Sequence, residues 1–284
     1  LLGDRYESLV VAICSLMLKI PLLHISGGEI TEGSIDDTIR HAITKLADYH
    51  FVAIDQFKKR VLQMGEDPSR VFVVGGMGVD AISNIKLLTH EQTISRLGIE
   101  NQMPLILCTY HPLTAFTSGL EECQIMLKAL SQVKDCNIVI TYPNPDYQSK
   151  SIIQLIQEFA SNNSNCFLFP SLGQLLYLSA LNISKLVIGN SSSGITEAPY
   201  FGCVTINIGK RQEGRPRCSS IYDLDPDCNK ILSTIQSLLE DDKDRTLNLN
   251  NIYGTSGASQ KIFEFLEQNL GQISKKKSFF DHPY

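Results

Sequence analysis

Short apolar runs alternate along this chain with segments whose apolar residues recur at helical spacing. The runs typical of buried strands are Leu22–Ser26, Phe51–Ile54, Val71–Val74, Leu105–Tyr110, Asn137–Tyr142, Cys166–Phe169, Leu186–Ile188 and Val204–Ile208. The helical patterns between them are Tyr6–Lys19, Ile35–Ala47, Leu120–Val133, Ser151–Ser161 and Leu172–Leu181. Because strands that alternate with helices form parallel βαβ units, the sequence predicts an α/β fold built on parallel sheets.

Length and a change in composition predict two doubly wound domains. At 284 residues the chain is long for one compact domain, and two domains of ordinary size are expected. The stretch from Asp80 to Gln102 turns polar before a new strand begins, which favours a domain boundary there. At the other end, Leu1 to Asp4 is typical of the last residues of a buried strand.

Composition and charge exclude several classes of function. With 43% hydrophobic and 19% charged residues, the chain has the composition of a soluble globular protein. It contains no apolar run of membrane-spanning length and no signal-peptide pattern, so we expect a cytoplasmic protein without a membrane partner. A net charge of -5 without a basic cluster argues against nucleic acid as a partner. The lysines at 275 to 277 are interpreted as a solvated end.

The eight cysteines are scattered, mostly inside predicted strands and helices, and no two of them have C-x-x-C spacing. Such a distribution in a cytosolic protein favours free buried thiols over disulfides. We therefore predict no metal site and no cofactor.

The segment from Gly189 to Arg215 predicts a nucleotide site. A Ser-rich turn with Ser191, Ser192 and Ser193 follows a buried strand and opens a short helix, where open α/β sheets place their ligands. Hydroxyls and free helix N–H groups suit a phosphate. Ser-rich turns also cap helices that bind no ligand, so the turn alone does not establish a phosphate site.

Two further residues extend this site. Glu197 lies one to one and a half turns beyond the serines, at a distance that suits a ribose diol. Arg211 follows the end of the next predicted strand, Val204–Ile208, where a cation can meet the same phosphates.

His111 and Asn144 follow two other predicted strands. A histidine at a strand end is often a structural, hydrogen-bonded residue, and the sequence around Asn144 also suits a plain turn. Both side chains are nevertheless candidates for ligand contact.

The ordered segment 189–215 and the block from His24 to Lys45 each resemble the UDP-N-acetylglucosamine 2-epimerases, in particular the hydrolysing branch that supplies sialic-acid-like sugars. Gly3-Asp4-Arg5-Tyr6, Gln63 to Glu66, His111-Pro112 and Ile252-Tyr-Gly254 extend the likeness over nearly the whole chain. The resemblance implies two Rossmann-like domains in a GT-B-like arrangement with the site between them. It also implies a UDP-sugar substrate and a homodimer or homotetramer.

The resemblance further implies the domain limits. Residues 1–80 would be the C-terminal part of a first domain that lacks its N-terminal segment. Residues 81–258 would form the UDP-binding domain, and residues 259–284 a helix and tail that return to the first domain. The activity expected is release of UDP and the C2 proton to give a glycal, followed by hydration to the free 2-epimer.

Residue roles follow from the same resemblance. The catalytic candidates are Asp4, Glu29, Asp36 and His111. The candidates for substrate and UDP binding are Arg5, Asn144, Ser191, Ser192, Glu197 and Arg211. Proton abstraction from C2 needs a carboxylate made more basic by burial or by neighbouring acids, so a cluster of acids is expected. Asp36 lies in the first turn of a predicted helix, where with Ser34 it also suits simple capping.

Ser26 departs from the sialic-acid members, which carry an essential glutamate at this position. Either Glu29 takes part of that role, or the chain belongs to the subgroup that uses UDP-2,4-diacetamido-2,4,6-trideoxyglucose. UDP-N-acetylglucosamine is the first substrate expected and the diacetamido sugar the alternative. A GT-B glycosyltransferase and a non-catalytic UDP-sugar sensor remain the competing classes.

Overall fold

The computed structural model describes residues 1–114, 119–240, 252–254, 256–275 and 277–282. The chain divides into two compact units. Unit 1 comprises Leu1–Asn84 and Asn250–Tyr284, and unit 2 comprises Ile85–Leu249. Among the residues described, no helix has both the length and the apolar composition that a bilayer-spanning helix needs.

The regular elements alternate along the chain. The helices are α1 (Tyr6–Met17), α2 (Asp36–Leu46), α3 (Asp55–Gln63), α4 (Met77–Asn84), α5 (His90–Arg96), α6 (Gly119–Leu130), α7 (Ser149–Ser161), α8 (Gly173–Ile183), α9 (Ser192–Thr196), α10 (Cys228–Glu240) and α11 (Ala258–Asn269). The strands are β1 (Leu23–Ile25), β2 (Tyr49–Val52), β3 (Val71–Val73), β4 (Leu105–Thr109), β5 (Asn137–Thr141), β6 (Cys166–Phe169), β7 (Leu186–Gly189), β8 (Val204–Ile208) and β9 (Ile221–Leu224). All strands pair in parallel, which confirms the predicted α/β fold.

Some predictions about the elements were wrong. The sequence pattern did not predict β9, because β9 is a short edge strand whose two central residues are exposed. Leu1 to Gly3 pairs in parallel with β1 through three backbone hydrogen bonds, as expected of a strand end, but 55% of Leu2 is exposed, so the segment is not buried. The eight cysteines are all free, as predicted, but Cys14 is exposed and Cys166 and Cys228 are only partly buried.

Unit 1 has a three-stranded sheet of order β1-β2-β3. Ala12 of α1 and Ile43 of α2 are fully buried in one apolar cluster. Phe51 of β2 packs against Phe72 and against Phe265 of α11, with ring centroids 5.7 and 5.2 Å away. The chain after unit 2 therefore supplies part of the core of unit 1.

Helix α11 is anchored in unit 1 by Asp80 of α4. One carboxylate oxygen of Asp80 accepts hydrogen bonds from the N–H groups of Gly257 and Ala258, at 2.5 and 3.1 Å, and the other accepts from Ser259 at 3.0 Å. Three N–H groups that the helix cannot satisfy itself are thus satisfied from elsewhere in the chain.

The interpretation of residues 275 to 277 as a solvated end was wrong. Lys275 donates hydrogen bonds to backbone carbonyls at the end of α1, and Lys277 donates to carbonyls at the end of α2. Lys276 lies outside the described residues. Helix C-termini attract cations because their last carbonyls lack partners within the helix.

Unit 2 has a six-stranded sheet of order β6-β5-β4-β7-β8-β9. Counted from β4, this is the Rossmann order 3-2-1-4-5-6, in which the direction of winding reverses between β4 and β7. Gly189 ends β7 with φ +134°, and a Cβ there would lie 2.0 Å from Thr109 O of β4. The two strand ends at the reversal are therefore in close backbone contact, and only glycine fits at position 189.

Candidate functional site

A cavity of about 470 Å³ lies in unit 2 at the carboxyl ends of β4, β5 and β7. This is the position, outside the reversal point of the sheet, at which open α/β sheets bind ligands, and the volume is within the usual range of ligand pockets. Its polar lining includes Thr109, His111, Thr141, Asn144, Tyr177, Ser191, Ser192 and Ser193. Four of the predicted site residues, His111, Asn144, Ser191 and Ser192, are thus brought to one cavity.

The serine turn is held by its own hydrogen bonds. Ser191 is the N-cap of α9, and its Oγ accepts a hydrogen bond from the N–H of Ser193 at 3.3 Å. The hydroxyl of Ser193 donates to Glu197 Oε2 at 2.5 Å. Because α9 has only five residues, its aligned peptide dipoles add little, and the hydroxyls are the groups that can meet an anion.

Glu197 lies behind the serines rather than among the residues that line the cavity. Burial raises the pKa of Glu197, and the hydrogen bond from Ser193 opposes that shift. Burial also raises the pKa of Tyr177 to about 12, so its hydroxyl stays protonated and can donate. The expected contact of Glu197 with a ribose remains a prediction.

Asn190 fixes His111 at the rim of the cavity. Asn190 is fully buried, accepts the backbone N–H of His111 at 2.6 Å and donates from Nδ2 to the His111 carbonyl at 2.9 Å. The N–H of Asn144 donates to Nδ1 of the His111 ring at 3.1 Å. A neutral His111 therefore carries its proton on Nε2, which makes that nitrogen a donor.

Arg211 is buried, with 7% of its surface exposed. Its Nη1 donates to the backbone carbonyl of Asn190 at 3.1 Å, and Nε2 of Gln212 donates to the same carbonyl at 2.8 Å. Arg211 thus supports the strand end that carries the serine turn. Its expected contact with a diphosphate remains a prediction.

In unit 1, Arg40 contacts Asp4 and the backbone of Glu29, and sequence patterns did not single out this arginine. Arg40 is 2% exposed, and its Nη2 pairs with Asp4 and donates to Thr31 Oγ1 at 3.1 Å. Its Nη1 donates to the backbone carbonyl of Glu29 at 3.0 Å and to Asp37 Oδ1 at 3.1 Å. A buried guanidinium can hold several acceptors at once, because its five N–H donors lie in a fixed planar arrangement.

Asp36 lies at the start of α2 and is almost buried. The hydroxyl of Ser34 donates to Asp36 Oδ2 at 2.9 Å, and Arg5 Nη1 lies 3.5 Å from the same oxygen. Arg5 therefore contacts Asp36, and Arg40 contacts Asp4. These contacts bring Asp4, Arg5, Asp36 and Arg40 together with the backbone of Glu29, and we call these five residues the acid cluster.

The loop after β1 has a conformation that few residues accept. Ser26 has φ +73°, in the left-handed region. Gly28 has φ +77°, and a Cβ there would lie 2.3 Å from Phe57 O. His24 is buried, and burial lowers its pKa to about 3, so it stays neutral beside Thr44 and Gly3 O. These restraints place Ser26 and Glu29 at the end of β1.

Sequence reasoning missed Arg40, Tyr177 and Asn190 as members of these clusters. Arg40 stands four residues after Asp36, and that spacing puts both side chains on one face of α2. Asn190 directly follows the last residue of β7. Within the described ranges, no group of three or more His, Cys, Asp or Glu side chains is placed to bind a metal ion.

A family model described as UDP-N-acetylglucosamine 2-epimerase matches residues 1–267. A GDP/UDP-N,N'-diacetylbacillosamine 2-epimerase (hydrolyzing) from Campylobacter jejuni is 43% identical over 78% of this chain and 59% of its own length. A UDP-N,N'-diacetylbacillosamine 2-epimerase (hydrolyzing) from Legionella pneumophila is 33% identical over 94% of this chain and 70% of its own length. The matched region thus spans less than two thirds of the Campylobacter relative.

A solved structure shows the same fold. The UDP-GlcNAc 2-epimerase from Neisseria meningitidis, bound to UDP-GlcNAc, superposes with a TM-score of 0.78 at 20% identity, over 94% of this chain and 75% of that chain. This confirms the predicted GT-B-like fold of two Rossmann-like domains. From the extent of the sequence match and the shared fold, the chain belongs to the UDP-N-acetylglucosamine 2-epimerase family.

Proposed function

We propose that this chain serves a hydrolysing nucleotide-sugar 2-epimerase, which releases UDP and a free 2-epimerised amino sugar. The observation that carries the proposal is the pair of ionic contacts at the start of α2, Arg40 with Asp4 and Arg5 with Asp36. The backbone carbonyl of Glu29 accepts a hydrogen bond from the same Arg40. A protein that only binds or transfers a UDP-sugar does not need such a cluster. Membership of the family supports the same reaction class.

The cavity of unit 2 is the proposed UDP site. Its serine hydroxyls and the Nε2–H of His111 are donors for the phosphate oxygens, which gain charge when UDP leaves. Glu197, behind the serines, accepts from Ser193 and is the proposed acceptor for a ribose hydroxyl. The cavity would thus bind the leaving group and stabilise its developing charge.

The acid cluster is the proposed site of proton transfer. In the elimination step a carboxylate takes the C2 proton, the C1–O bond breaks, and the electron pair of that bond leaves with the UDP oxygen. In the hydration step water adds at C1 and a proton returns to C2 from the opposite face. Each step needs one group that accepts a proton and one that donates it, and two of the carboxyl groups in the acid cluster would supply both.

For the substrate we propose a UDP sugar with an acetamido group at C4, of the 2,4-diacetamido-2,4,6-trideoxyglucose type. The Campylobacter and Legionella relatives are both described as acting on N,N'-diacetylbacillosamine, the same sugar under another name. This favours the alternative substrate over UDP-N-acetylglucosamine, which the sequence placed first. Ser26 supports it, because a small hydroxyl leaves room where a glutamate would stand.

Competition between two nucleotide sugars tests the proposal. The full chain is given equal amounts of UDP-N-acetylglucosamine and UDP-N,N'-diacetylbacillosamine, and UDP release and the free sugars are followed together. We expect one UDP per free 2-epimer and a clear preference for the diacetamido sugar, because a polar group left unmatched in a dry pocket is costly.

The other possible outcomes of the competition assay point to a different substrate or a different class of protein. Preference for UDP-N-acetylglucosamine would refute the substrate and leave the reaction class standing. Slow hydrolysis with retained configuration would identify a transferase, and tight UDP binding without turnover a sensor. Because the Campylobacter relative is described with GDP or UDP, the GDP sugar serves as a third substrate in the same assay.

A further inference from the structure

The C-terminal tail crosses unit 1 and ties together the ends of its elements. We call residues 272–275 and 277–282 the C-terminal strap. Lys275 Nζ donates to Ser15 O at 2.8 Å and to Leu16 O and Ile20 O at 3.2 Å. Further along the strap, the N–H of Phe280 donates to Gly65 O at 3.0 Å. These contacts fix the strap against the end of α1 and the turn after α3.

Lys277 makes the corresponding contacts at the end of α2. Its Nζ donates to Ala47 O at 2.6 Å, to Lys45 O at 2.9 Å and to Thr44 O at 3.4 Å. The same Nζ lies 2.7 Å from Glu66 Oε2. One ammonium group therefore satisfies the last carbonyls of α2 and pairs with a carboxylate, which is more than a surface lysine normally does.

Glu66 provides a second connection between the strap and α2, because its carboxylate contacts both Lys277 and Lys45. Its side chain is 1% exposed and receives Lys45 of α2 at 2.6 Å on Oε1 and His50 of β2 at 2.9 Å on Oε2. Burial raises the pKa of Glu66, but hydrogen bonds from His50, Lys277 and Lys45 outweigh burial and lower the pKa to about 2. The carboxylate is thus ionised and shared by α2, β2 and the strap.

The other end of α2 carries the acid cluster. Asp36, Asp37 and Arg40 lie in its first turns, and the helix of 11 residues is about 16 Å long. An α-helix is stiff over such a length, so a shift of its last turn also moves its first. In the last turn, the Thr44 hydroxyl donates to Arg40 O at 3.0 Å and lies 3.2 Å from His24 Nδ1, so this turn is also tied to the residue that carries the cluster's guanidinium.

We propose that Lys277 is a positioning residue for proton transfer: through α2, the C-terminal strap sets the place of Asp36 and Arg40 in the acid cluster. The proposal rests on the proposed function for its effect on turnover. A misplacement of about 1 Å in a group that transfers a proton is enough to cost a large factor in rate. Lys277 itself touches none of the acid-cluster side chains in the contacts described above.

The test uses the full chain and three variants. Lys277→Met removes the charge and the donors but keeps most of the apolar stem, and Lys277→Arg keeps the charge. Lys261→Met is the matched control, since Lys261 donates to Val74 O at 3.3 Å in the same unit without contacting α2. Turnover, KM, UDP affinity and amide hydrogen exchange along α2 are measured for each. Lys277→Gln replaces Lys277→Met if the latter does not fold.

We expect Lys277→Met to lower kcat about tenfold with KM and UDP affinity nearly unchanged, and Lys277→Arg to restore most of the rate. Exchange should become faster in the first turn of α2 as well as in the last. The inference is overturned if exchange rises only in the last turn, or if kcat per folded molecule stays at the wild-type value. A wild-type chain that releases no UDP would refute the proposed function, and exchange in the first turn would then decide the positioning alone.

Discussion

Asn190 and His111 hold each other through two reciprocal hydrogen bonds, from the His111 N–H to Asn190 Oδ1 and from Asn190 Nδ2 to the His111 carbonyl. The bonds join the residues that follow β7 and β4, the two strands between which the sheet of unit 2 reverses its winding. The Asn190 side chain bonds the His111 backbone as a neighbouring strand would, so it continues the link between β7 and β4 beyond Gly189. The imidazole is thereby fixed relative to the serine turn.

Replacing Asn190 by Ala leaves the buried N–H of His111 without that acceptor. We expect Asn190→Ala to lower the free energy of unfolding by about 1–3 kcal/mol, because a buried donor without a partner pays its full desolvation cost. Urea denaturation measures the change. Asn229→Ala, at an exposed position of α10, is the control and should have little effect. Equal stability of both variants would show that the reciprocal bonds contribute nothing net.

Replacing Glu197 by Ala tests the UDP site. We expect UDP affinity to fall by about 1–3 kcal/mol, because the change removes the proposed ribose acceptor and the partner of the Ser193 hydroxyl. Titration calorimetry with UDP gives the affinity directly. Glu158→Ala, on the exposed face of α7, is the matched control. Unchanged affinity in Glu197→Ala would count decisively against the placement of the ribose.

Asp4→Asn and Asp36→Asn keep the shape of the acid cluster but remove its charge and basicity. Each should lower turnover by roughly two orders of magnitude or more, while UDP affinity stays near its starting value, since proton transfer and not binding is lost. Asp55→Asn, an exposed residue at the start of α3, controls for loss of a carboxylate in unit 1. Wild-type turnover in either of the first two variants would make that residue structural.

Ser26→Glu restores the acid that sialic-acid members are expected to carry. If Ser26 selects for the 4-acetamido sugar, the variant should gain relative to wild type on UDP-N-acetylglucosamine in the competition assay, by a factor corresponding to about 1–3 kcal/mol. Ser26→Gln has the same size without the charge and separates bulk from acidity. If both variants keep the wild-type ratio of specificity constants, the side chain at position 26 does not determine which sugar is preferred.

Glu66 should make stability fall as the solution becomes acidic. Its pKa is about 2 in the folded chain against an ordinary 4.5, so its contribution is complete above pH 4.5 and is lost as the pH falls from 4.5 towards 2. The contribution is on the order of 3 kcal/mol. His50 adds to this trend, because burial lowers its pKa and the neutral ring must be protonated on unfolding below pH 6.5.

Thermal unfolding of wild type and Glu66→Gln from pH 7 to pH 3 measures this contribution. The stability difference between the two proteins should be largest at neutral pH and should shrink as the pH approaches 3. A difference that is constant over the range would mean that Glu66 is not the group that titrates.

The sequence predicted the fold well wherever a strand is a continuous apolar run. β4 and β5 are buried at every position, so they need no knowledge of their neighbours to be recognised. Among the strands that the structure describes, β9 pairs with β8 alone, and it exposes Tyr222 and Asp223, so its local pattern carries little signal. The cavity was predictable too, because strand ends in parallel sheets meet at one edge.

The long-range charge networks were not predictable. Arg40 and Asp4 are 36 residues apart, and Lys277 stands far beyond Glu66 in the sequence. No periodicity links such pairs, and only the packing of complete elements brings them together. The expectation that acids raise one another's basicity likewise left out the guanidinium that lies among them. The charge around each of these carboxylates is set by cations that are distant in the sequence, so local sequence patterns do not predict it.

The cap that Asp80 provides for α11 has a consequence for synthesis on the ribosome. Gly257 follows Asp80 by 177 residues, so at about 5–20 residues per second the helix emerges roughly 10 to 35 seconds after its capping carboxylate. Unit 2 is continuous in sequence and is made entirely within that interval. It can therefore complete its sheet first, while the aromatic surface around Phe51 waits uncovered for Phe265. This apolar surface is exposed to other chains during that interval, and the residues before unit 2 therefore reach their native packing after unit 2 does.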